Sequence, residues 1–212
     1  MIITYQGAEF FKVQYGDTTI AFNPISKDSK LKGARFGADI AFVSLNHKDM
    51  NGVANLEFGE KKPFTVSGPG EYEIKGIFAR GFASESNYDG EKRINTIYLV
   101  SIENINICFL GSFGGKELGS EIEEALDAID ILFVPIGGDG VLGPSEAYKL
   151  AVKLEPKIII PMHYGEIGGK SVLETFLKEG GAEKAESFEK LTLKRKDLEG
   201  KEGEIVVLSA QA

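Results

Sequence analysis

The side chains best suited to hold a metal or move a proton are scarce in this chain, which has two histidines, His47 and His163, and one cysteine, Cys108. His47 sits in Val43-Ser44-Leu45-Asn46-His47-Lys48-Asp49-Met50-Asn51-Gly52, and His163 in Ile158-Ile159-Ile160-Pro161-Met162-His163-Tyr164-Gly165. Each segment reads as a buried strand running into a polar loop, where a rigid scaffold presents functional groups. An imidazole serves as metal ligand or as general acid and base. Asp49, two residues after His47, adds a carboxylate with the same capacities. Cys108 lies in the apolar run Ile105–Leu110 and reads as core rather than nucleophile. A lone thiol excludes an intrachain disulfide and a multi-thiolate zinc site.

The elements that must position these groups fall into two halves. The first is strand-rich: Ile2–Tyr5, Phe10–Tyr15 and Thr18–Phe22 are short apolar or β-branched runs, with Gly16-Asp17 as a hairpin turn between the last two. Asp39–Ser44 reads as a buried strand. Phe64–Ser67, Tyr72–Ile74, Ile77–Gly81, Asn95–Ile102 and Asn106–Leu110 follow, with the polar stretch Ser84–Arg93 as an exposed loop. The second half alternates. Leu118–Ile129 has apolar residues at helical spacing, Ile131–Pro135 is a buried strand, and Gly143-Pro144-Ser145 opens a helix through Leu154. Lys157–Pro161 is the next strand. Ser171 and Glu174 have the spacing of a capping box for a helix to Glu179. Leu191–Leu193 and Ile205–Leu208 are expected as a final hairpin around the solvated segment Lys194–Glu202. Strands followed by helix–strand alternation, without a linker, predict an α/β fold in a single domain over residues 1–212.

Composition narrows the function classes. The 212 residues are 42% hydrophobic and 26% charged, ordinary for a globular protein, and 26 glycines imply many tight turns. A net charge of −8 without a basic stripe argues against a nucleic-acid partner. No apolar run approaches a membrane span, and Met1–Gly7 reads as a first strand without a basic leader, so no membrane partner and a cytoplasmic location are expected.

Particular segments recur in a telling order. Tyr5-Gln6-Gly7 with Phe10, then Ala21-Phe22-Asn23-Pro24, make an opening hairpin and its turn. Val43–Gly52 comes next, then Gly68-Pro69-Gly70-Glu71-Tyr72-Glu73-Ile74, Asn95-Thr96-Ile97-Tyr98 and Ile107-Cys108-Phe109-Leu110-Gly111-Ser112. Val134-Pro135-Ile136-Gly137-Gly138, Gly143-Pro144-Ser145-Glu146-Ala147 and Ile160-Pro161-Met162-His163-Tyr164 complete the series. Over nearly the whole chain this order resembles the metallo-β-lactamase superfamily, in its small metal-dependent hydrolase branch of the ascorbate-6-phosphate lactonase type. Val43–Gly52 stands where that family carries its H-x-H-x-D-H signature.

The resemblance implies a metallo-β-lactamase-like αββα sandwich with a site at one edge. Complete members hold two cations through seven groups and ionise a bound water. Carried across, His47 and Asp49 retain signature positions and His163 retains the late histidine. Leu45 and Met50 replace the outer signature histidines, Ala83 the mid-chain histidine and Ser112 the bridging aspartate, while Asn23 replaces the aspartate of the first turn. Leucine, methionine and alanine cannot substitute for an imidazole at such a cation. The leading expectation is therefore a scaffold that has lost most metal ligands, has no cofactor, and serves as a binding or assembly module. The alternative is a hydrolase of lactones, phosphodiesters or other esters with one zinc or manganese ion at His47, Asp49 and His163, and Asp49 as ligand or proton acceptor. A third route is metal-free hydrolysis through Ser112. Purely structural roles also stand: Asp49 capping a turn, His47 bonding the backbone, and His163 satisfied by local partners. Glu71, Glu73 and Ser84 remain open as substitutes at the site, and a small-molecule ligand and a homo-oligomer remain open as partners.

Overall fold

Aromatic and β-branched residues alternate with polar ones through much of this chain, and that pattern builds pleated surfaces with one buried face. The computed structural model describes residues 1–115, 117–126 and 128–211. The first strands are β1 (Ile2–Tyr5), β2 (Phe11–Tyr15), β3 (Thr18–Phe22), β4 (Ile40–Phe42) and β5 (Phe64–Val66). Then come β6 (Gly70–Ile74), β7 (Ile77–Ser86), β8 (Arg93–Ile102) and β9 (Ile105–Phe109). Alternation follows, with α1 (Ser120–Ala125), β10 (Ile131–Pro135), α2 (Pro144–Leu154), β11 (Ile158–Met162) and α3 (Val172–Glu179). Short strands β12 (Ser187–Phe188), β13 (Leu191–Thr192), β14 (Glu204–Ile205) and β15 (Val207–Leu208) finish the series.

One sheet has the order β13-β1-β2-β3-β4-β5, the other β14-β11-β10-β9-β8-β7-β6, and β12 pairs with β15. The expected α/β sandwich is the one observed. Between the sheets lies an aromatic core. Phe11 packs on Phe133 with ring centroids 4.5 Å apart, Phe22 on Phe109 at 4.9 Å and Phe42 on Tyr98 at 5.1 Å. The outer face of the second sheet buries Ile97, Leu132, Val134 and Ile159 in one cluster with Ile122 of α1, Ala147 and Ala151 of α2 and Phe176 of α3. The outer face of the first sheet, with Phe10, Ala21 and Ala41, clusters with Ile25 and with Leu56 of the 3-10 turn Val53–Leu56.

Three local expectations change. The last strands do not form a hairpin: β13 pairs antiparallel with β1, β14 runs parallel to β11, and β15 runs parallel to β12. The segment between them is not wholly solvated, because Leu198 is buried and Arg195 reaches Asp130 at 2.5 Å and the Asn104 carbonyl at 2.6 Å. That anchor directs the chain to both sheets instead of back on itself. Ser171 lies in the left-handed region at φ +58° and makes no side-chain cap bond, so no capping box forms. Helix α1 is shorter than its apolar pattern, and Asp127, within the expected span, lies outside the described residues.

Parallel pairing decides where the site falls. β3 runs parallel to β4 in one sheet, and β9, β10 and β11 run parallel in the other. Loops that leave the carboxyl ends of such strands converge at one edge. Asn23, Ser44, Ser112 and His163 all lie within three residues of these strand ends.

A charged anchor holds the opposite end of β4. The Asp39 carboxylate accepts hydrogen bonds from Lys75 at 2.6 Å, the Thr19 amide at 2.9 Å and Lys61 at 3.0 Å. Burial alone would raise its pKa, but the Lys75, Thr19 and Lys61 bonds outweigh burial and hold it at about 2. A carboxyl depressed on folding stabilises the native state above its unfolded pKa, and this contribution is lost as pH falls through the folded value. Asp39→Asn is therefore expected to cost about 1–2 kcal/mol at pH 7, with the deficit shrinking as pH falls from about 4 to about 2. Urea midpoints across that range check it, and a deficit that stays constant with pH would refute the linkage.

Candidate functional site

Buried polar groups gather around Glu9, in the loop joining β1 to β2. Gly7 (φ +98°) and Ala8 (φ +54°) turn the chain there, and the Glu9 carboxylate ends up fully buried. One carboxylate oxygen lies 2.6 Å from His163 Nδ1. The other accepts a hydrogen bond from Asn23 Nδ2 at 2.7 Å. The Ser112 hydroxyl donates between both oxygens, at 3.0 and 2.9 Å. A carboxylate removed from water costs several kcal/mol (about 3–5) unless donors surround it, and these three supply that surround.

A second ring of bonds fixes the donors. Asn23 Oδ1 accepts the Ser44 amide at 2.7 Å, and Asn23 Nδ2 also donates to Ser44 Oγ at 2.8 Å. The Ser112 amide donates to Asn95 Oδ1 at 2.9 Å, and Asn95 Nδ2 donates to Ser84 Oγ and to the Leu110 carbonyl, each at 2.9 Å. The His163 amide donates to the Ala8 carbonyl at 2.7 Å, and His163 itself adopts φ +65°. Glycine is required beside it: a Cβ at Gly137 would fall 2.3 Å from His163 Cδ2. With Nδ1 committed to Glu9, Nε2 is the ring nitrogen left for any other partner.

His47 and Asp49 belong to a neighbouring group. The Asp49 amide donates to His47 Nδ1 at 3.2 Å, so the ring proton of neutral His47 sits on Nε2, 3.6 Å from Asp89 Oδ2. Asp49 accepts from Ser29 Oγ at 2.5 Å and from the Tyr88 hydroxyl at 2.7 Å. Tyr88 opens the 3-10 turn Tyr88–Gly90 that follows β7. Its ring stands edge-to-face against His47, with centroids 5.1 Å apart, and against His163, at 5.3 Å. Leu45, Met50 and Val141 pack with it as a buried apolar cluster. Burial, then the hydrogen bond to Asp49, pushes the Tyr88 phenol well above its ordinary pKa, so it stays a proton donor.

The three metal-ligand candidates therefore do not meet at one point. His163 turns to Glu9, while His47 and Asp49 turn to each other and to loop partners, and the Tyr88 ring packs against both imidazoles. Among the described residues, no group of three or more His, Cys, Asp or Glu side chains is placed to hold a metal ion. The residues present do not fit the two-cation centre that the resemblance implies. At the replaced positions, Leu45 and Met50 are buried in the apolar cluster, Ser112 is buried on Glu9, and Ala83 lies exposed on β7 opposite Thr96.

The remaining candidates sort out readily. Asp49 caps no turn, since the following 3-10 turn starts at Gly52 without a side-chain cap bond. His47 does accept a backbone hydrogen bond, as its structural role required. His163 has a distant partner, Glu9, rather than a local one. Glu71 and Glu73 are exposed on β6, whereas Ser84 joins the buried network through Asn95. Ser112 offers no accessible nucleophile, because its hydroxyl is fully buried and bonded to Glu9. The sequence reading missed Glu9, Asn95 and Tyr88. A lone acid between Ala8 and Phe10-Phe11 was an available signal for Glu9. Tyr88 had none, and its burial corrects the view of Ser84–Arg93 as an exposed loop.

A cavity of about 520 Å³ adjoins this site, lined by Tyr5, Ala8, Lys32, Tyr164, Leu173 and Leu208 among others. Tyr5 and Tyr164 form part of its wall with ring centroids 5.5 Å apart. Its lining is chiefly apolar, as in many small-molecule sites.

Known proteins share this arrangement of strands. Residues 2–163 match the Beta-lactamase superfamily domain. A UPF0173 metal-dependent hydrolase of Lysinibacillus sphaericus is 27% identical over 200 residues, covering 77% of this chain and 85% of the relative. A crystal structure from Thermotoga maritima, assigned as a zinc-dependent hydrolase of the metallo-β-lactamase superfamily, is 29% identical with a TM-score of 0.73, covering 98% of this chain and 97% of that one. Igni18, a metallo hydrolase of Ignicoccus hospitalis, shares the fold at 18% identity and a TM-score of 0.66, covering 100% of this chain and 96% of its own. With matches running through both sheets and into the loop that carries His163, this chain belongs to the metallo-β-lactamase superfamily.

Proposed function

We propose that this chain is a non-catalytic or much-reduced member of its superfamily, kept as a binding or assembly module. The observation that carries this reading is the Tyr88 ring packed edge-to-face on both His47 and His163, with its hydroxyl on Asp49. A catalytic zinc needs about three protein ligands and an open position for water. Here the candidate donors are engaged elsewhere, and apolar side chains fill the space beside them.

A second reading draws support from the relatives, several of which are named metal-dependent hydrolases. In it, His47, Asp49 and His163 hold one zinc or manganese ion for ester or lactone hydrolysis. One experiment separates the two. Protein purified without chelator is assayed for metal content, titrated with zinc and manganese, and tested on phosphodiester and lactone substrates. Substoichiometric metal and no turnover are expected. One tightly held ion per chain, with turnover that disappears in His163→Ala, would establish the second reading instead.

The binding side of the proposal rests on the cavity between Tyr5, Tyr164 and Leu208. A small ligand with an aromatic or aliphatic body suits such walls. The dye 1-anilinonaphthalene-8-sulfonate is expected to bind at one equivalent to native protein and to be excluded by Ala34→Trp, which would fill the cavity wall. Equal binding to both would remove this cavity from the reading.

The Glu9 network acts in this proposal as structure rather than machinery. Glu9→Ala leaves His163, Ser112 and Asn23 without their shared acceptor and is expected to cost about 3–5 kcal/mol. Glu9→Gln, which keeps the shape, is expected to cost less, about 1–3 kcal/mol. Equilibrium urea unfolding measures both. A Glu9→Ala protein as stable as native would deny the network that role.

A further inference from the structure

We infer that Tyr88 is a built-in plug, whose ring keeps His47, Asp49 and His163 from sharing a divalent cation. This rests on the proposed reading of the chain as a non-catalytic or much-reduced member of its superfamily. The phenol touches all three retained positions at once: one ring edge-to-face contact to each imidazole and one hydrogen bond to the carboxylate. A proton donated to Asp49 thus stands where a cation's charge would otherwise lie.

His163 supplies an independent observation. Its Nδ1 lies 2.6 Å from the buried Glu9 carboxylate. A carboxylate on one ring nitrogen is the arrangement that orients the other nitrogen of a metal-ligating histidine and raises its basicity. Here the His163 ring packs edge-to-face on the Tyr88 ring, with centroids 5.3 Å apart. Glu9 in this sense keeps His163 prepared for a ligand that Tyr88 excludes.

The turn that carries the plug is lightly held. β7 ends at Ser86, and Tyr88 stands on a single 3-10 turn with Asp89 in the left-handed region at φ +58°. The Tyr88 amide donates to Ser86 Oγ at 3.2 Å, and the Asn87 amide donates to the Gly140 carbonyl at 3.0 Å. None of these bonds belongs to the sheet ladder. Truncating the side chain therefore leaves both sheets intact and opens space beside Asp49, which loses its tyrosine donor.

The test compares native protein with Tyr88→Ala, Tyr88→Phe, and Tyr88→Ala combined with His163→Ala, using cobalt(II) and zinc as probes. Calorimetry counts bound ions, and the visible absorption of cobalt reports its ligands. Native protein and Tyr88→Phe, which keeps the ring, are expected to bind no ion in the micromolar range. Tyr88→Ala is expected to bind one, at least about 100-fold more tightly than native, and to lose about 10-fold or more with His163→Ala. If Tyr88→Ala is too unstable for calorimetry, a zinc-dependent rise in its Tm that His163→Ala abolishes counts as support. A folded Tyr88→Ala as indifferent to metal as native, or a Tyr88→Phe that binds as well as Tyr88→Ala, overturns the plug and leaves the non-catalytic reading standing. Tight binding of one ion by native protein overturns both.

Discussion

A carboxylate without water must be surrounded by donors, and the Glu9 carboxylate is surrounded by groups from widely separated parts of the chain. Asn23 follows β3 of one sheet, whereas Ser112 and His163 follow β9 and β11 of the other. The cost of leaving such a charge unpaired is large enough to dictate geometry. It fixes the β1–β2 loop against the end of β11, where the His163 amide also meets the Ala8 carbonyl. The two halves of the sandwich are thereby locked at the same edge where the parallel strands end. Apolar packing between the sheets is less directional, and the aromatic core alone would tolerate more sliding than this network allows.

The same edge shows how one scaffold serves opposite ends. The strands deliver Asn23, Ser44, Ser112 and His163 to adjacent loops, as expected of a fold whose chemistry lies beyond its carboxyl strand ends. What these loops carry is another matter. In the proposed reading, Ser112 and Asn23 stand where a cation centre of the family would carry aspartates, and Glu9 accepts hydrogen bonds from both. Fold and site can diverge because packing constrains the strands far more tightly than the identity of the loop side chains.

Much of the architecture was legible in short-range pattern. Gly16-Asp17 between two apolar runs marked the β2–β3 hairpin, and the run ending at His163 marked a buried strand that opens into a loop. Pro144 after Gly143 marked the start of α2. Long-range pairing was not legible. Nothing local links Glu9 to His163, and hydrophobic period says nothing about which distant donor a buried acid will find. Tyr88 failed for a different reason: its neighbours Ser84–Arg93 are polar, and Ser86, which turns inward with it, adds no apolar side chain to mark a period. The last strands were misread because two apolar runs around a charged segment look like a hairpin, whereas their partners β1, β11 and β12 lie elsewhere in the sequence.

The strand β13 closes the free edge of β1, with Ile2 opposite Thr192 and Ile3 opposite Leu191. During synthesis β1 must therefore wait, with one side unsatisfied, until the distant β13 segment has emerged. Such separation in sequence makes for slow, late-stage folding and gives nascent chains an interval in which an open strand edge can meet its neighbours.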